Sequence, residues 1–288
     1  MKLVTFENRG QCVGAVIGDM VLDIHSVQPF LPRNIEDIFR RGLLPEVQNL
    51  VDNAAEFDKS HFKSLKEVSL YPPVPWPSKI ICLGLNYEGH AREQKKKAPT
   101  HPMLFAKAPS AMSGPFDDIV IQPGVENVDA EAELAVVIGR DGKMISTGEA
   151  MNYVAGYMAF NDVSARQVQR DDKQWFRGKS YDTFAPCGPW LVTSDEVGDP
   201  HTLSISQRLN KNVMQQSNTS EMIFSVPEII SFISSGITLL AGDIIATGTP
   251  EGVGVFRNPP EFLKDDDLVE IEIERIGTLK NKVKILER

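Results

Sequence analysis

The sequence predicts a mostly β protein of the α+β class, in which a small N-terminal α/β domain precedes a larger β-rich domain. Three observations favour this fold. Short apolar strands outnumber the helical segments, they lack the regular strand-helix alternation of a doubly wound sheet, and four prolines interrupt residues 71 to 79. Because such a stretch resists both helix and strand pairing, we place the boundary there, with domains over residues 1 to 75 and 76 to 288.

The N-terminal domain is predicted to combine strands with helix. Its first 24 residues alternate apolar and polar positions between glycines, which is typical of a small β-meander. Residues 35 to 57 then show the apolar spacing of a helix, interrupted at Gly42 and Pro45.

The larger domain is predicted to form packed sheets or a barrel-like roll. Its apolar strand segments are, in order, KIICLGL, DIVIQP, ELAVVIG, AGYMAFND, PWLVTS, LSISQRLN, DIIATG and LVEIEIERIGTLKNKVKI. Helices are predicted to begin near Asn86, near Thr147, at Ser164 and at Pro227.

The composition is that of an ordinary soluble globular protein, with 42% hydrophobic and 24% charged residues. No window approaches the run of about 18 apolar residues expected of a membrane helix, and the first residues resemble neither a signal nor a transit peptide. We therefore expect a cytoplasmic protein without membrane partners, or a mitochondrial matrix protein if a presequence has been removed. A net charge of -9 argues against nucleic acid and favours small ligands.

The three cysteines are far apart and form no CxxC pair. Neither a disulfide framework nor a thiolate zinc site is indicated. We expect Cys12, Cys82 and Cys187 to be buried free thiols.

Two glutamates stand at the entrance of a predicted buried strand over residues 128 to 139. Side chains alternate along a strand, so Glu131 and Glu133 should point the same way, either into water or toward a positive partner. Asp162, which closes another strand, would add a third carboxylate, unless it is a plain helix N-cap. Three carboxylates without a His or Cys cluster make an oxygen-only site, which prefers Mg²⁺, Mn²⁺ or Ca²⁺ over zinc.

His90 and Glu93 are spaced to lie on one face of a helix. A carboxylate beside an imidazole orients it and raises its basicity, as a general base requires. The alternative is an ordinary surface pair. The following run, Lys95 to Lys97, is either a solvated face or a mobile lid that attracts an anionic substrate.

Two glycine-containing segments complete the candidates. Lys179 lies in a predicted loop among aromatic residues, where a lysine can stabilise an oxyanion or enolate, although exposed lysines are common. The segment ATGTPEGVGVF, beginning at Ala246, lacks the spacing of a phosphate or dinucleotide loop. It is either a structural turn or a turn that offers backbone N–H groups to a carboxylate.

Taken together, these segments resemble the fumarylacetoacetate hydrolase superfamily over residues 78 to 288. The matching landmarks, in order, are GLNYEGH, FAK, SGP, AEAELAVVIG, AFNDVSARQVQ, GKSYDTFAPCGP and GTPEGVG. The wider match is most similar to the branch called fumarylacetoacetate hydrolase domain-containing protein 2, which is associated with oxaloacetate keto-enol tautomerisation.

The resemblance implies a mixed β-roll around a divalent metal, Mg²⁺ first of all, and assembly as a homodimer. It implies the metal ligands Glu131, Glu133 and Asp162 and the catalytic residues His90, Glu93 and Lys179. The substrate contacts that it implies are Tyr87, Arg166, Gln169, Gly248 and Thr249.

The implied activity is that of an enzyme acting on a small anionic 2-oxo acid, and an oxaloacetate enol-keto tautomerase fits best. Cleavage of a C–C bond in acylpyruvates or fumarylacetoacetate, oxaloacetate decarboxylation and isomerisation of hydroxydienedioates are the alternatives, because all of them use the same enolate stabilisation. A metal-stabilised binding module without catalysis is the non-enzymatic alternative, but it has no use for the His-Glu pair or Lys179.

Overall fold

The structure is a computed structural model that describes residues 1 to 287. It is mostly β, as predicted. The strands of the described residues are β1 (Lys2–Glu7), β2 (Gln11–Ile17), β3 (Met20–Asp23), β4 (Phe62–Ser64), β5 (Ile80–Gly84), β6 (Met103–Lys107), β7 (Met112–Ser113), β8 (Ile119–Ile121), β9 (Val128–Asp129), β10 (Ala132–Ile138), β11 (Val154–Asn161), β12 (Ser164–Ala165), β13 (Ala185–Thr193), β14 (Ser204–Leu209), β15 (Asn212–Asn218), β16 (Ile244–Ala246), β17 (Leu268–Ile273) and β18 (Gly277–Ile285).

The helices are short. They are α1 (Ile24–Val27), α2 (Ile35–Arg40), α3 (Leu44–Asp52), α4 (Glu88–Glu93), α5 (Arg166–Asp172), α6 (Trp175–Lys179), α7 (Ser194–Val197) and α8 (Val226–Gly236), with several single 3-10 turns between them. A membrane span needs about 20 residues, and no helix within residues 1 to 287 has the length and apolar character to make one.

One large mixed sheet runs through the whole molecule. Its strand order is β4-β3-β2-β1-β13-β11-β10-β16-β5-β6, with β7 paired to β13 outside this path. The N-terminal meander therefore extends the sheet of the larger part, through antiparallel pairing of β1 with β13. The predicted division at residues 75 and 76 falls in an irregular stretch before β5; it stays a prediction, since the two parts share this sheet.

Strand β10 is the centre of the core because both of its faces are covered. Leu134 and Val136 pack in a cluster with residues of α8 and of a second sheet, whose order is β15-β14-β17-β18-β8. Ala135 and Val137 pack in another cluster, with residues of α2 and α3. A strand buried on both faces reads as a continuous apolar run rather than as an alternating one, which explains the sequence of this segment.

Most of the predicted elements are present, with three corrections. The helix predicted near Thr147 is wrong, because β11 begins at Val154 and leaves room only for a 3-10 turn over Ala150–Tyr153. The segment 128 to 139 is not one strand, since its pairing is interrupted between β9 and β10.

The third correction concerns Lys179, which ends helix α6 and does not lie in a loop. The glycine before it was the loop signal. A Cβ on Gly178 would lie 2.9 Å from the backbone N of Gln169 and 3.1 Å from the carbonyl O of Ala165. Gly178 is therefore explained by the close approach of α6 to α5, not by a turn.

Candidate active site

The three predicted ligand carboxylates converge. One oxygen from each of Glu131, Glu133 and Asp162 lies within 4.8 Å of the others, and all three residues are buried. Pairing of β10 with β11 brings them together: Ala132 lies opposite Asn161, and the backbone N–H of Asp162 donates to the carbonyl of Glu131 at 3.0 Å. The glutamates are thus buried and not on an exposed face, and Asp162 is not a helix cap, since α5 begins four residues later, at Arg166.

Lysine and arginine side chains hold two of these carboxylates. Lys179 Nζ donates to Glu131 Oε2 at 2.6 Å and to Asp162 Oδ2 at 2.5 Å. Arg166 donates from Nη2 to Glu131 Oε1 and from Nε to Asp129 Oδ1, both at 2.6 Å. Lys179 is buried, so the alternative of an exposed lysine is wrong. Arg166 contacts Glu131, which is a predicted metal ligand.

Sequence reasoning missed two charged members of this cluster. Lys107, at the end of β6, is buried and donates from Nζ to Asp162 Oδ1 at 2.5 Å and to the Val163 carbonyl at 3.1 Å. Asp129 pairs with Arg166 and accepts from the backbone N–H of Val255 at 2.8 Å. The only signal for Lys107 was its place in the landmark FAK, and Asp129 had none beyond its nearness to Glu131.

Burial and neighbouring charges shift the pKa values of Glu131 and Glu133 in opposite directions. Burial raises the pKa of Glu131, but the charges of Arg166 and Lys179 outweigh it and hold that pKa below its ordinary range. Burial raises the pKa of Glu133 well above its ordinary range, and the negative charges of Asp162 and Glu131 reinforce the shift. Glu133 therefore resists ionisation, while Glu131 is kept ionised.

The donor set fits a hard divalent cation. Four buried carboxylates, counting Asp129, face the cations Lys107, Arg166 and Lys179, which leaves one negative charge in excess when all are ionised. Within residues 1 to 287, Glu133 pairs with no cation and accepts only from the backbone N–H of Gly248, at 2.8 Å. Clustered carboxylate oxygens with this excess charge are what Mg²⁺, Mn²⁺ and Ca²⁺ prefer.

His90 and Glu93 form the predicted pair on α4. His90 Nδ1 lies 2.6 Å from Glu93 Oε1, and Glu93 Oε2 accepts from the backbone N–H of Gly252 at 2.9 Å. The histidine is buried, with Phe256 packed against it edge-on at a ring separation of 5.7 Å. It is therefore not the exposed member of a surface pair. The glycine-rich turn offers backbone N–H groups to two of the protein's own carboxylates, on Glu93 and Glu133.

One cavity of about 480 Å³ joins the carboxylates to the histidine. Its lining combines the ligand carboxylates with His90, aromatic side chains and cations. The lining residues are Leu83, Gly84, Leu85, His90, Gln94, Lys96, Phe105, Glu131, Glu133, Asp162, Arg166, Gln169, Arg170, Lys173, Trp175, Lys179, Thr249, Val255 and Phe256. A cavity of this size suits a small ligand.

Three of the predicted site residues do not line this cavity. Glu93 lies behind His90, and Gly248 contacts Glu133 through its backbone N–H. Tyr87 is fully buried, and its hydroxyl has no hydrogen-bond partner among residues 1 to 287. Burial, with smaller effects from Glu133 and Glu251, raises the pKa of Tyr87.

Helix α5 lines one wall with a stripe of polar side chains. Arg166, Gln169, Arg170 and Lys173 all face the cavity, with the i, i+3, i+4, i+7 spacing of one helical face, although Lys173 itself follows the helix as its left-handed C-cap. Arg166 is engaged by Glu131 and Asp129, whereas Arg170 and Lys173 form no ion pair with any residue from 1 to 287.

An aromatic pair lines the wall beside Lys179. The rings of Phe105 and Trp175 meet edge-on, with centroids 5.2 Å apart, and Lys179 Nζ lies 5.0 Å from the centre of the Phe105 ring. A Cβ on Gly84 would collide with Met103 and lie 3.0 Å from the Trp175 ring, so the tryptophan sits against bare backbone. Phe105 belongs to the landmark FAK, but neither aromatic residue was a predicted site residue.

A buried carboxylate triad that could hold a metal ion, a histidine paired with a glutamate and a buried lysine in one cavity are typical of an enzyme that acts on a small molecule. A family model described as fumarylacetoacetate (FAA) hydrolase C-terminal matches residues 79–284. The chain therefore belongs to the fumarylacetoacetate hydrolase family.

Curated relatives cover almost the whole chain. It is 46% identical to the mitochondrial oxaloacetate tautomerase FAHD2A of Bos taurus over 268 residues, which are 92% of this chain and 84% of the relative. It is 38% identical to the fumarylacetoacetate hydrolase domain-containing protein 2 homolog of Dictyostelium discoideum, covering 99% of this chain and 97% of that protein.

Solved structures share the fold over its full length. Maleylpyruvate hydrolase from Sphingobium sp. SYK-6, in complex with manganese(II) and pyruvate, superposes with a TM-score of 0.83 at 32% identity and full coverage of both chains. A fumarylacetoacetate hydrolase from Exiguobacterium antarcticum gives a TM-score of 0.84 at 35% identity, covering 99% of this chain and all of that one.

Proposed function

We propose that the protein is a Mg²⁺-dependent tautomerase that converts the enol form of oxaloacetate into its keto form. The observation that carries the proposal is that the carboxylate triad, His90 and Lys179 line a single cavity. The oxaloacetate tautomerase named above, 46% identical to this chain, supports the choice of substrate.

Glu131, Glu133 and Asp162 would hold the cation. When bound, a divalent cation supplies Lewis acidity, which stabilises negative charge on a substrate oxygen by several kcal/mol. The oxygen-only donor set favours Mg²⁺, Mn²⁺ or Ca²⁺, and the maleylpyruvate hydrolase above was solved with manganese.

His90 would move the proton. Glu93 holds Nδ1, so Nε2 is the nitrogen that would exchange protons with the substrate, once the substrate displaces the Gln94 side chain from it. Nε2 takes the proton of the enol hydroxyl and returns it to C3, so an O–H bond breaks, a C–H bond forms, His90 ends neutral and no atom is gained or lost. Lys179, already placed between two carboxylates, provides positive charge beside the oxygen that becomes anionic.

The cations of the α5 wall support a substrate with two carboxylates. One end of oxaloacetate carries the 2-oxo acid group, which belongs beside the triad. Arg170 and Lys173, without ion partners in residues 1 to 287, and Lys96 from the segment after α4 line the same cavity and would meet the second carboxylate. Arg166, Gln169 and Thr249 remain candidate substrate contacts on the same lining.

C–C bond hydrolysis of an acylpyruvate is the second candidate. The maleylpyruvate hydrolase at 32% identity has the same fold over its whole length. In that reaction His90 would take a proton from water rather than from the substrate, and the same cavity would serve.

The test is an ultraviolet assay of enol-to-keto conversion, run with Mg²⁺ and with chelator beside an acylpyruvate cleavage assay. Mg²⁺-dependent tautomerisation is expected. Glu131→Ala should abolish it together with Mg²⁺ binding in calorimetric titration, whereas His90→Ala should still bind Mg²⁺ but turn over slowly. Glu126→Ala, an exposed glutamate near the site in sequence, is the matched control. No metal-dependent change in either assay would refute the proposal.

Two further expectations accompany this function. A homodimer is proposed by analogy with the family, and sedimentation of the purified protein checks it. The bovine relative is named mitochondrial, which favours the mitochondrial alternative for this chain over the cytoplasm; fractionation of cells that express the natural protein distinguishes the two.

A further inference from the structure

Gln94 contacts His90 in the cavity, and the proposed mechanism gives this contact no role. It is the C-cap residue of α4 and lines the cavity beside His90. Its Nε2 lies 2.7 Å from His90 Nε2, the ring nitrogen that the proposed reaction needs. His90 is therefore held at both nitrogens, by Glu93 on one side and Gln94 on the other.

The chemistry of these contacts fixes the direction of the hydrogen bonds. An ionised carboxylate only accepts, so the Nδ1 that faces Glu93 carries a hydrogen. In the neutral ring, Nε2 then carries the lone pair, and it can only accept. The amide N–H of Gln94 therefore donates to His90 Nε2 and occupies the lone pair that removes protons.

We propose that Gln94 is a positioning residue that favours proton transfer within the substrate over attack by water. This inference rests on the proposed function. Hydrolysis requires a water that donates to His90 Nε2: its proton passes to Nε2, its oxygen bonds to the carbonyl carbon, and the C–C bond breaks with its electron pair going to the departing enolate, which is then protonated. Tautomerisation requires only that the bound substrate itself reach Nε2.

The two competitors for Nε2 are not equivalent. A 2-oxo acid that is bound in the cavity at the proposed cation site is already confined beside His90, so it displaces the amide without losing further translational freedom. A water molecule has no such tether and must compete with a donor that is fixed one residue beyond the helix carrying the histidine. One net neutral hydrogen bond corresponds to a disadvantage of about fivefold for the water.

The test compares Gln94→Met with Gln167→Met in the Mg²⁺-loaded protein. Methionine has a similar length but no N–H donor. Gln167 is exposed on α5 and does not line the cavity, so the second variant makes the same chemical change away from the site. The readouts are kcat and KM for tautomerisation of oxaloacetate, kcat for acylpyruvate cleavage, and the ring ¹⁵N signals of His90, assigned with His90→Ala.

The ratio of cleavage to tautomerisation should rise about fivefold or more in Gln94→Met and stay unchanged in Gln167→Met. The His90 signals of the wild type should show hydrogen on Nδ1 and a hydrogen-bonded lone pair on Nε2, and only the Nε2 signal should move in Gln94→Met. Gln94→Glu, which keeps the length but lacks the donor, should also lose that Nε2 signature.

An active wild type together with an unchanged ratio in Gln94→Met would overturn this inference and leave the proposed function standing. An unchanged Nε2 signal in Gln94→Met would overturn it as well. A wild type that turns over neither substrate would refute the proposed function, and the inference with it, whatever the ring signals show.

Discussion

Lys107 Nζ lies 2.5 Å from Asp162 Oδ1, while the other oxygen of the same carboxylate is held by Lys179. Lys107 is fully buried on this predicted metal ligand, and the sequence did not predict it as a site residue. Burial, with a contribution from the charge of Lys179, lowers the pKa of Lys107, and pairing with Asp162 opposes the shift. The ammonium is thus stabilised chiefly by its partner.

We expect Lys107→Met to lower the free energy of unfolding by about 3 kcal/mol, because removing one member of a buried pair leaves the other charge less compensated. Urea titration of the metal-free protein measures this. Lys282→Met, which removes an exposed lysine from β18, should leave the midpoint unchanged. Equal stability of the two variants would show that Asp162 does not depend on Lys107.

The α5 wall predicts a selective effect on binding of the substrate. Replacing Arg170 and Lys173 together with glutamine should raise KM for oxaloacetate about two- to fivefold, since each exposed pair contributes little, with kcat nearly unchanged. The KM for a 2-oxo acid with one carboxylate should move less. Lys211→Gln, in the turn after β14, is the control. Steady-state kinetics at low and high salt check both expectations, because salt screens exposed charges.

The role of the run Lys95 to Lys97 as a mobile lid remains a prediction. Of its three side chains, only Lys96 lines the cavity. Replacing all three should raise the apparent KM and weaken its salt dependence. Neither quantity would change if the run were only a solvated face.

A side chain at position 178 should disturb the packing of α6 against α5. Gly178→Ala should destabilise the protein by about 1 to 3 kcal/mol and lower activity, since a Cβ would press α6 against the backbone of α5 and displace Lys179. Gly236→Ala is the matched control, because this glycine ends helix α8 and a Cβ there meets nothing within 4 Å in the described part of the chain. Thermal unfolding of the two variants should therefore differ clearly.

The fold should suppress the reaction of the three cysteines with thiol reagents. Cys12, Cys82 and Cys187 are buried, and burial raises the pKa of each thiol. The thiolate is the reactive form of cysteine, and a free cysteine is half ionised at about pH 8.5. At that pH the three thiols of the folded protein should stay protonated and resist iodoacetamide. Mass spectrometry should count no adducts on the folded chain and three after unfolding in urea. Labelling of the folded protein would contradict the burial.

The sequence was most informative where the spacing of two residues along one element determines whether their side chains lie together. The alternation expected along a strand predicted that Glu131 and Glu133 lie together, and they do, although Glu131 precedes β10. The three-residue spacing of His90 and Glu93 placed both on one face of α4. Lys107 could not be found in this way, because its contact with Asp162 spans 55 residues and exists only once β6 has paired with β5.

Gly178 and Gln94 show two further limits of reading the sequence. A glycine signals a turn or a close approach equally well, and only the packing of α6 on α5 distinguishes them. Gln94 is one polar residue at a helix end, and nothing in the letters HAREQ tells whether it faces solvent or the imidazole. Tertiary placement decides both.

Pairing of β1 with β13 joins the first strand of the chain to the sheet that carries β10 and β11. Removing the meander would uncover the end of β13 around Leu191 and Val192, with its unpaired N–H and C=O groups open to pairing with other chains. A cut in the proline-rich stretch should consequently yield two fragments that stay associated. Calorimetry of the intact chain should record one cooperative melting event.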